Sequence, residues 1–156
     1  MLPLDLIATA GALLKAGNGK PTQANLRRAH SSAYYALFHC LARDCADTLL
    51  GGTGAAKSRG AWRQTYRALE HKKSKDACRN RAWVAKFPQP IADFANAFVS
   101  MQEKRHLADY DPTIRLTKSE VTTDIALSEQ AIKDFKIQPI KDRRAFCAYV
   151  LFKVRD

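Results

Sequence analysis

Apolar side chains recur every three or four residues along nearly all of this chain, and that spacing constrains the fold more than any single motif. A period near 3.6 belongs to a helix laid against a core, whereas a strand would alternate. No convincing alternation and no internal repeat interrupts it. The spacing predicts a first helix from Pro3 to about Ala16, closed by Gly17-Asn18-Gly19. A long second helix starts after Pro21-Thr22 and runs to about Leu50, with a seam of Leu26, His30, Ala33, Leu37 and Leu41. Gly51-Gly52-Thr53-Gly54 ends it in a loop. A third helix is expected over Gly60 to Lys73, then an irregular basic segment to Phe87 with a short helix near Arg79 to Val84. Pro88 and Pro90 open a fourth helix, since proline suits a first turn. Its seam is Ile91, Phe94, Phe98, Met101, Arg105 and Ala108, and Asp111-Pro112 ends it. Thr117-Lys118-Ser119-Glu120 is a capping box for a fifth helix, Lys118 to about Lys136. Beyond Pro139, the run Phe146, Cys147, Tyr149, Val150 and Phe152 has strand-like composition but reads as a C-terminal helix. The expected fold is all-α: an antiparallel four-helix-bundle-like domain with one or two extra helices, spanning 1–156 as a single unit.

A length of 156 residues with 46% hydrophobic content suits one globular domain with a real core. No apolar stretch reaches the roughly 20 residues of a membrane span. The apolar start, Met1 to Leu14, raises the question of a signal peptide. Asp5 interrupts it, no Lys or Arg precedes it, and Leu2, Leu6, Ala10 and Leu13 fall at helical spacing, so it reads as a helix of the domain. Cys40, Cys45, Cys78 and Cys147 form no C-x-x-C pair and read as small buried hydrophobes. Without a secretory signal or a cysteine framework, the expected location is the cytoplasm. No spacing of His, Cys or Glu suggests a metal, and no cofactor is implied.

The formal net charge of +11 is unevenly placed. Between Lys57 and Lys86 stand ten basic residues, among them Lys72, Lys73, Lys75, Arg79 and Arg81, against only Glu70 and Asp76. Such an excess concentrates polyanions, although a charge run is also an ordinary solvated face. Trp62, Tyr66, Trp83 and Phe87 lie within or beside it, and aromatics next to cations can stack bases. Trp62, Tyr66 and Leu69 share helical spacing as well, which gives those rings a core reading. These five cations are the candidate nucleic-acid contacts.

Two distant segments put polar groups on core-packing helices. One is Arg27-Arg28-Ala29-His30-Ser31-Ser32-Ala33-Tyr34-Tyr35-Ala36-Leu37-Phe38-His39; the other is Lys104-Arg105-His106-Leu107-Ala108-Asp109-Tyr110-Asp111-Pro112. Together they resemble the HEPN family (higher eukaryotes and prokaryotes nucleotide-binding), in particular its small prokaryotic members. The resemblance implies a helical bundle, a homodimer, and one of two roles. The first is the RNA-acting toxin or effector of a toxin–antitoxin or defence pair. The second is a non-catalytic dimeric module that binds a partner such as a small nucleotidyltransferase. Nuclease members of the family carry R-x4-6-H at the second segment, contributed by two facing subunits, and cleave RNA without a metal. The resemblance maps the motif Arg onto Arg105, and Tyr110 stands where the His would be.

Arg105 occupies an apolar seam, where a charge must be paired or face a cavity, and Asp109 four residues on is its natural partner. A structural pair and an Arg aimed at phosphate are both compatible with this placement. His106 lies about 100° round the helix from Arg105. It is the nearby side chain with a reference pKa near neutrality, and so the candidate acid–base group. Arg105, His106, Asp109 and Tyr110 are therefore the candidate catalytic residues, expected to line a groove between the second and fourth helices with His30 and Tyr34 nearby. His30 and His39 are about 180° apart on one helix and cannot share a site there. His30 on the seam has an ordinary reading as a satisfied core histidine, and Tyr34 as a packing residue with a bonded hydroxyl. Gly51 to Ser58 imitates a Walker A loop with its last glycine replaced. That loop requires a preceding strand, and here a helix precedes it.

Overall fold

A computed structural model describes residues 2–52, 54 and 57–155. Among these the chain is all-helical, with eight helices and no strand: α1 (Pro3–Lys15), α2 (Gln23–Leu50), α3 (Arg59–Arg67), α4 (His71–Arg79), α5 (Arg81–Val84), α6 (Gln89–Tyr110), α7 (Lys118–Lys136) and α8 (Ile140–Leu151). The sequence signals act where they stand. The Thr22 hydroxyl accepts from Asn25 N at 3.1 Å and caps α2. Thr117 and Glu120 form the full capping box of α7. Gly51 closes α2 with φ +98°, a conformation that glycine enters without a Cβ penalty. Of the Walker-like stretch, Thr53, Ala55 and Ala56 lie outside the described residues; α2 precedes it and α3 follows.

α1, α2, α6 and α7 make the bundle. α2 is its spine, in contact with α1, α3, α6, α7 and α8. α6 runs antiparallel to α2: Tyr34 packs on Phe98, and Arg27 reaches Ala108. The core is aromatic at its centre, where Phe94 stacks on Phe135 at 4.5 Å and Phe146 of α8 meets both edge-on. Four short helices surround the bundle rather than one or two, because the basic segment folds as α3, α4 and α5. The expected third helix through Lys73 breaks after Arg67. Leu69 turns inward there, only 5% exposed, and α4 restarts at His71 and buries Ser74 and Cys78. α3 has no fully buried residue and meets α2 through the half-buried Trp62 and Tyr66. The C-terminal segment is helical despite its strand-like composition, with Phe146, Cys147, Val150 and Leu151 on one buried face. All four cysteines are free and buried. Among the described residues no helix is long and apolar enough to cross a membrane.

Candidate functional site

α2, α4 and α6 converge on one aromatic and cationic cluster. Arg105 lies on the α2-facing side of α6, its side chain only 12% exposed. Its guanidinium sits over the rings of Tyr34, at 5.1 Å, and Tyr35, at 5.7 Å. A guanidinium is weakly hydrated and lies well on aromatic faces, so the burial is supported by cation–π contact. Nη1 donates to Asp109 Oδ2 at 3.1 Å. Buried Nε has no partner among the described residues. The fork thus keeps donors in reserve beside the one it spends on Asp109.

His71, at the start of α4, completes the cluster. Its ring stacks on Phe38 with centroids 4.0 Å apart, and its Nδ1 pairs with the Tyr34 hydroxyl at 2.6 Å. Burial lowers the His71 imidazole below its ordinary value, and the charges of Arg105 and His39 lower it further. Burial pushes the Tyr34 phenol up despite Arg105, so it stays protonated at neutral pH. On the far side of Tyr35, His39 Nδ1 pairs with the Tyr66 hydroxyl of α3 at 2.5 Å, and burial lowers His39 as well. A groove of about 360 Å³ opens here, lined by Leu6, Arg28, Ser31, Ser32, Tyr35, His39 and Asp109. Arg28 is the cation of its wall, and the Asp109 carboxylate, which opposes anions, is the point where the groove meets Arg105 through their ion pair.

The other candidates are distributed differently. His106 and Tyr110 are both exposed and pair with each other, ring centroids 5.0 Å apart, on the outer face of α6. His30 is buried and turns toward α7, where Nε2 meets Asp124 Oδ2 at 3.2 Å. Lys104 Nζ holds the same carboxylate at 3.0 and 3.1 Å. Burial alone would raise the Asp124 carboxyl, but the bonds from His30 and Lys104 prevail and hold it below the usual range. Tyr34 joins Arg105; His30 does not.

In the basic segment, Lys73 donates to the Leu151 carbonyl at 2.7 Å and closes α8, and Lys75 pairs with Glu103 of α6 at 3.5 Å. Lys72, Arg79 and Arg81 are exposed. Arg63 and Arg67 line a shallow depression along α3. The aromatics beside the run are engaged: Trp62 donates to Asp47, and Trp83 stacks on Tyr149 beneath Lys86. Among the described residues no three His, Cys, Asp or Glu side chains stand together as a metal site.

No protein-family model matches this chain, and neither does any curated protein or solved structure.

His71 and Arg27 escaped the sequence reading. His71 lies in a polar run with no apolar neighbour to mark it as inward-facing. Arg27 is the device that ends α6: Nη1 donates to the Ala108 and Asp111 carbonyls at 2.6 and 2.9 Å, and Nη2 to Ile114 O. Terminal carbonyls have no partner within their own helix, and here a guanidinium from α2 takes them. A helix-ending Asp111-Pro112 with a doubled Arg elsewhere was the available signal.

Proposed function

We propose that this chain is a HEPN-like, RNA-associated protein of the cytoplasm, the toxin or effector component of a prokaryotic toxin–antitoxin or defence pair, and a metal-independent endoribonuclease. The observation that carries the reading is Arg105: a largely buried guanidinium over two tyrosines, paired with the Asp109 that lines a groove together with Arg28. Such a fork suits a phosphodiester, which it can hold through two parallel hydrogen bonds. The exposed Lys72, Arg79 and Arg81, with Arg63 and Arg67, supply a surface along which the rest of a strand could run. A homodimer would bring two Arg105-bearing helices to one composite site.

The test is RNA degradation by the purified chain, compared with Arg105→Ala. Loss of cleavage with the helical signal retained supports the reading. Undiminished degradation removes Arg105 from it.

A second reading has its own observation. Tyr110 is 69% exposed and Leu107 45% exposed, side by side at the end of α6 where the nuclease members carry histidine. That favours a non-catalytic dimeric module whose α6 terminus meets a protein such as a small nucleotidyltransferase. A stable complex with such an enzyme, lost on Leu107→Asp and Tyr110→Asp, would support it.

A further inference from the structure

We propose that the groove between α6 and α7 is the docking site for an amphipathic helix of a partner protein, one whose apolar stripe ends in Lys or Arg. The inference goes beyond the reading above and does not depend on any action on RNA.

α6 and α7 run antiparallel, with Phe94 stacked on Phe135 at one end and Lys104 bonded to Asp124 at the other. Between them opens a groove of about 410 Å³. Its hollow has a cause in the sequence. Ala97 and Ser100 on α6, and Ser128 and Ala131 on α7, are small and three residues apart, so each pair shares a helix face. Small side chains facing each other leave a trough between two helices, and the side-chain ridge of a third helix fills such a trough. On α7 the lining runs from Asp124 to Asp134, about 15 Å at 1.5 Å per residue, or about three helical turns. Met101 lies in the floor, and Leu127 stands at the rim with 60% of its surface exposed.

The charge of the groove selects the partner. The chain carries 26 Lys and Arg against 15 Asp and Glu. Arg63, Lys118, Arg28 and Lys73 each line a groove elsewhere on the surface. This groove is lined by three carboxylates, Asp93, Asp124 and Asp134, and by no Lys or Arg. His30 and Lys104 already hold Asp124. Asp93 and Asp134 accept only from the neutral amides of Gln89 and Gln130, at 2.7 and 2.8 Å. Neither joins an ion pair among the described residues. Each directly precedes a ring of the Phe94–Phe135 stack, so both charges stand at that end.

A polyanion is repelled there. A helix with cations at one end and apolar groups along the rest matches the groove in charge and in shape. The long stem of a Lys or Arg covers apolar surface while its head reaches a carboxylate. A second copy of this chain fits less well. A two-fold pair sets the same patch on both sides, and a trough facing a trough leaves a void without packing contacts.

The experiment uses the full chain and two fluorescein-labelled helical peptides with the same leucine stripe, one ending in Lys residues and the other with Glu in their place. Anisotropy should show the Lys peptide binding the wild type. Asp93→Lys/Asp134→Lys should weaken it by ~10-fold or more and tighten the Glu peptide relative to wild type. Ser100→Trp, at an exposed position, should fill the groove and weaken the Lys peptide by ~10-fold or more. Helical circular dichroism should be unchanged in both variants. A wild type that does not bind the Lys peptide overturns the proposal, and so does unchanged affinity in either folded variant. A dimer of the chain alone that Ser100→Trp dissociates would give the groove to a second copy and equally overturn it. Should Ser100→Trp fail to fold, the charge-reversed variant decides.

Discussion

The Tyr34 hydroxyl meets His71 Nδ1 at 2.6 Å, a contact that fastens α4 to the bundle spine beneath the Arg105 guanidinium. Tyr34 is fully buried, so its phenol has no water to fall back on. Tyr34→Phe removes one hydrogen bond and leaves the imidazole nitrogen without a partner. The expected loss is about 1–2 kcal/mol, read as a fall in Tm of a few degrees with the α-helical circular dichroism signal unchanged. An unchanged Tm would mean that the stack on Phe38 alone holds α4.

The folded state should resist acid less well than its core would suggest. His39 and His71 both sit below their ordinary value, so the unfolded chain binds protons more readily than the folded one. The stability this contributes is complete above the unfolded value of about 6.5 and is lost as pH falls through the lower folded values. Urea midpoints should therefore drop between about pH 7.5 and pH 5.5. The double variant His39→Gln/His71→Gln should flatten that dependence. A slope that survives in the double variant would point to other groups.

Asp124 and Lys104 share an ion pair but should not share its importance. Asp124 is buried and, among the described residues, is the sole partner of His30 Nε2, whereas the Lys104 side chain is 50% exposed. Asp124→Ala strands a buried imidazole nitrogen and should cost about 1–3 kcal/mol. Lys104→Ala should cost less than about 1 kcal/mol, as surface pairs do. Chemical denaturation of the two variants measures both. Equal losses would show that the lysine, not the histidine, is what the carboxylate serves.

Arg27→Ala should destabilise the junction of α6 and α7 selectively. The guanidinium satisfies three carbonyls, at Ala108, Asp111 and Ile114, and charged hydrogen bonds contribute about 1.5–3 kcal/mol each at most. Hydrogen exchange should accelerate first around 108–116. Uniform acceleration across the bundle would instead mark Arg27 as part of the global core.

The helices and their caps were legible because each rests on local chemistry: a threonine with its glutamate, a proline in a first turn, a period of 3.6. The break at Leu69 was not. Trp62, Tyr66 and Leu69 keep helical spacing across it, whereas the packing of α4 on α6 and α8 is long-range and leaves no mark in the local spacing. The Arg105–Asp109 pair was readable for the same reason as the caps, being four residues apart on one helix. The partners of the histidines were not, since His30 with Asp124 and Tyr34 with His71 are contacts between helices far apart in sequence. His71 shows the limit most plainly, for nothing in its flanking Glu70, Lys72 and Lys73 marks a residue that packs on phenylalanine.

The spine role of α2 restricts how this chain can change in length. Arg27 serves the end of α6, His30 serves α7, Tyr34 and His39 hold α4 and α3, and Asp44 pairs with Arg143 of α8. One residue inserted near Ser32 would turn everything beyond it by about 100° relative to everything before it. Arg27 and His30 would keep their partners only if Tyr34, His39 and Asp44 gave up theirs. Related chains should therefore gain and lose residues at the turn from Gly17 to Pro21, and keep the spacing from Arg27 to Asp44 fixed.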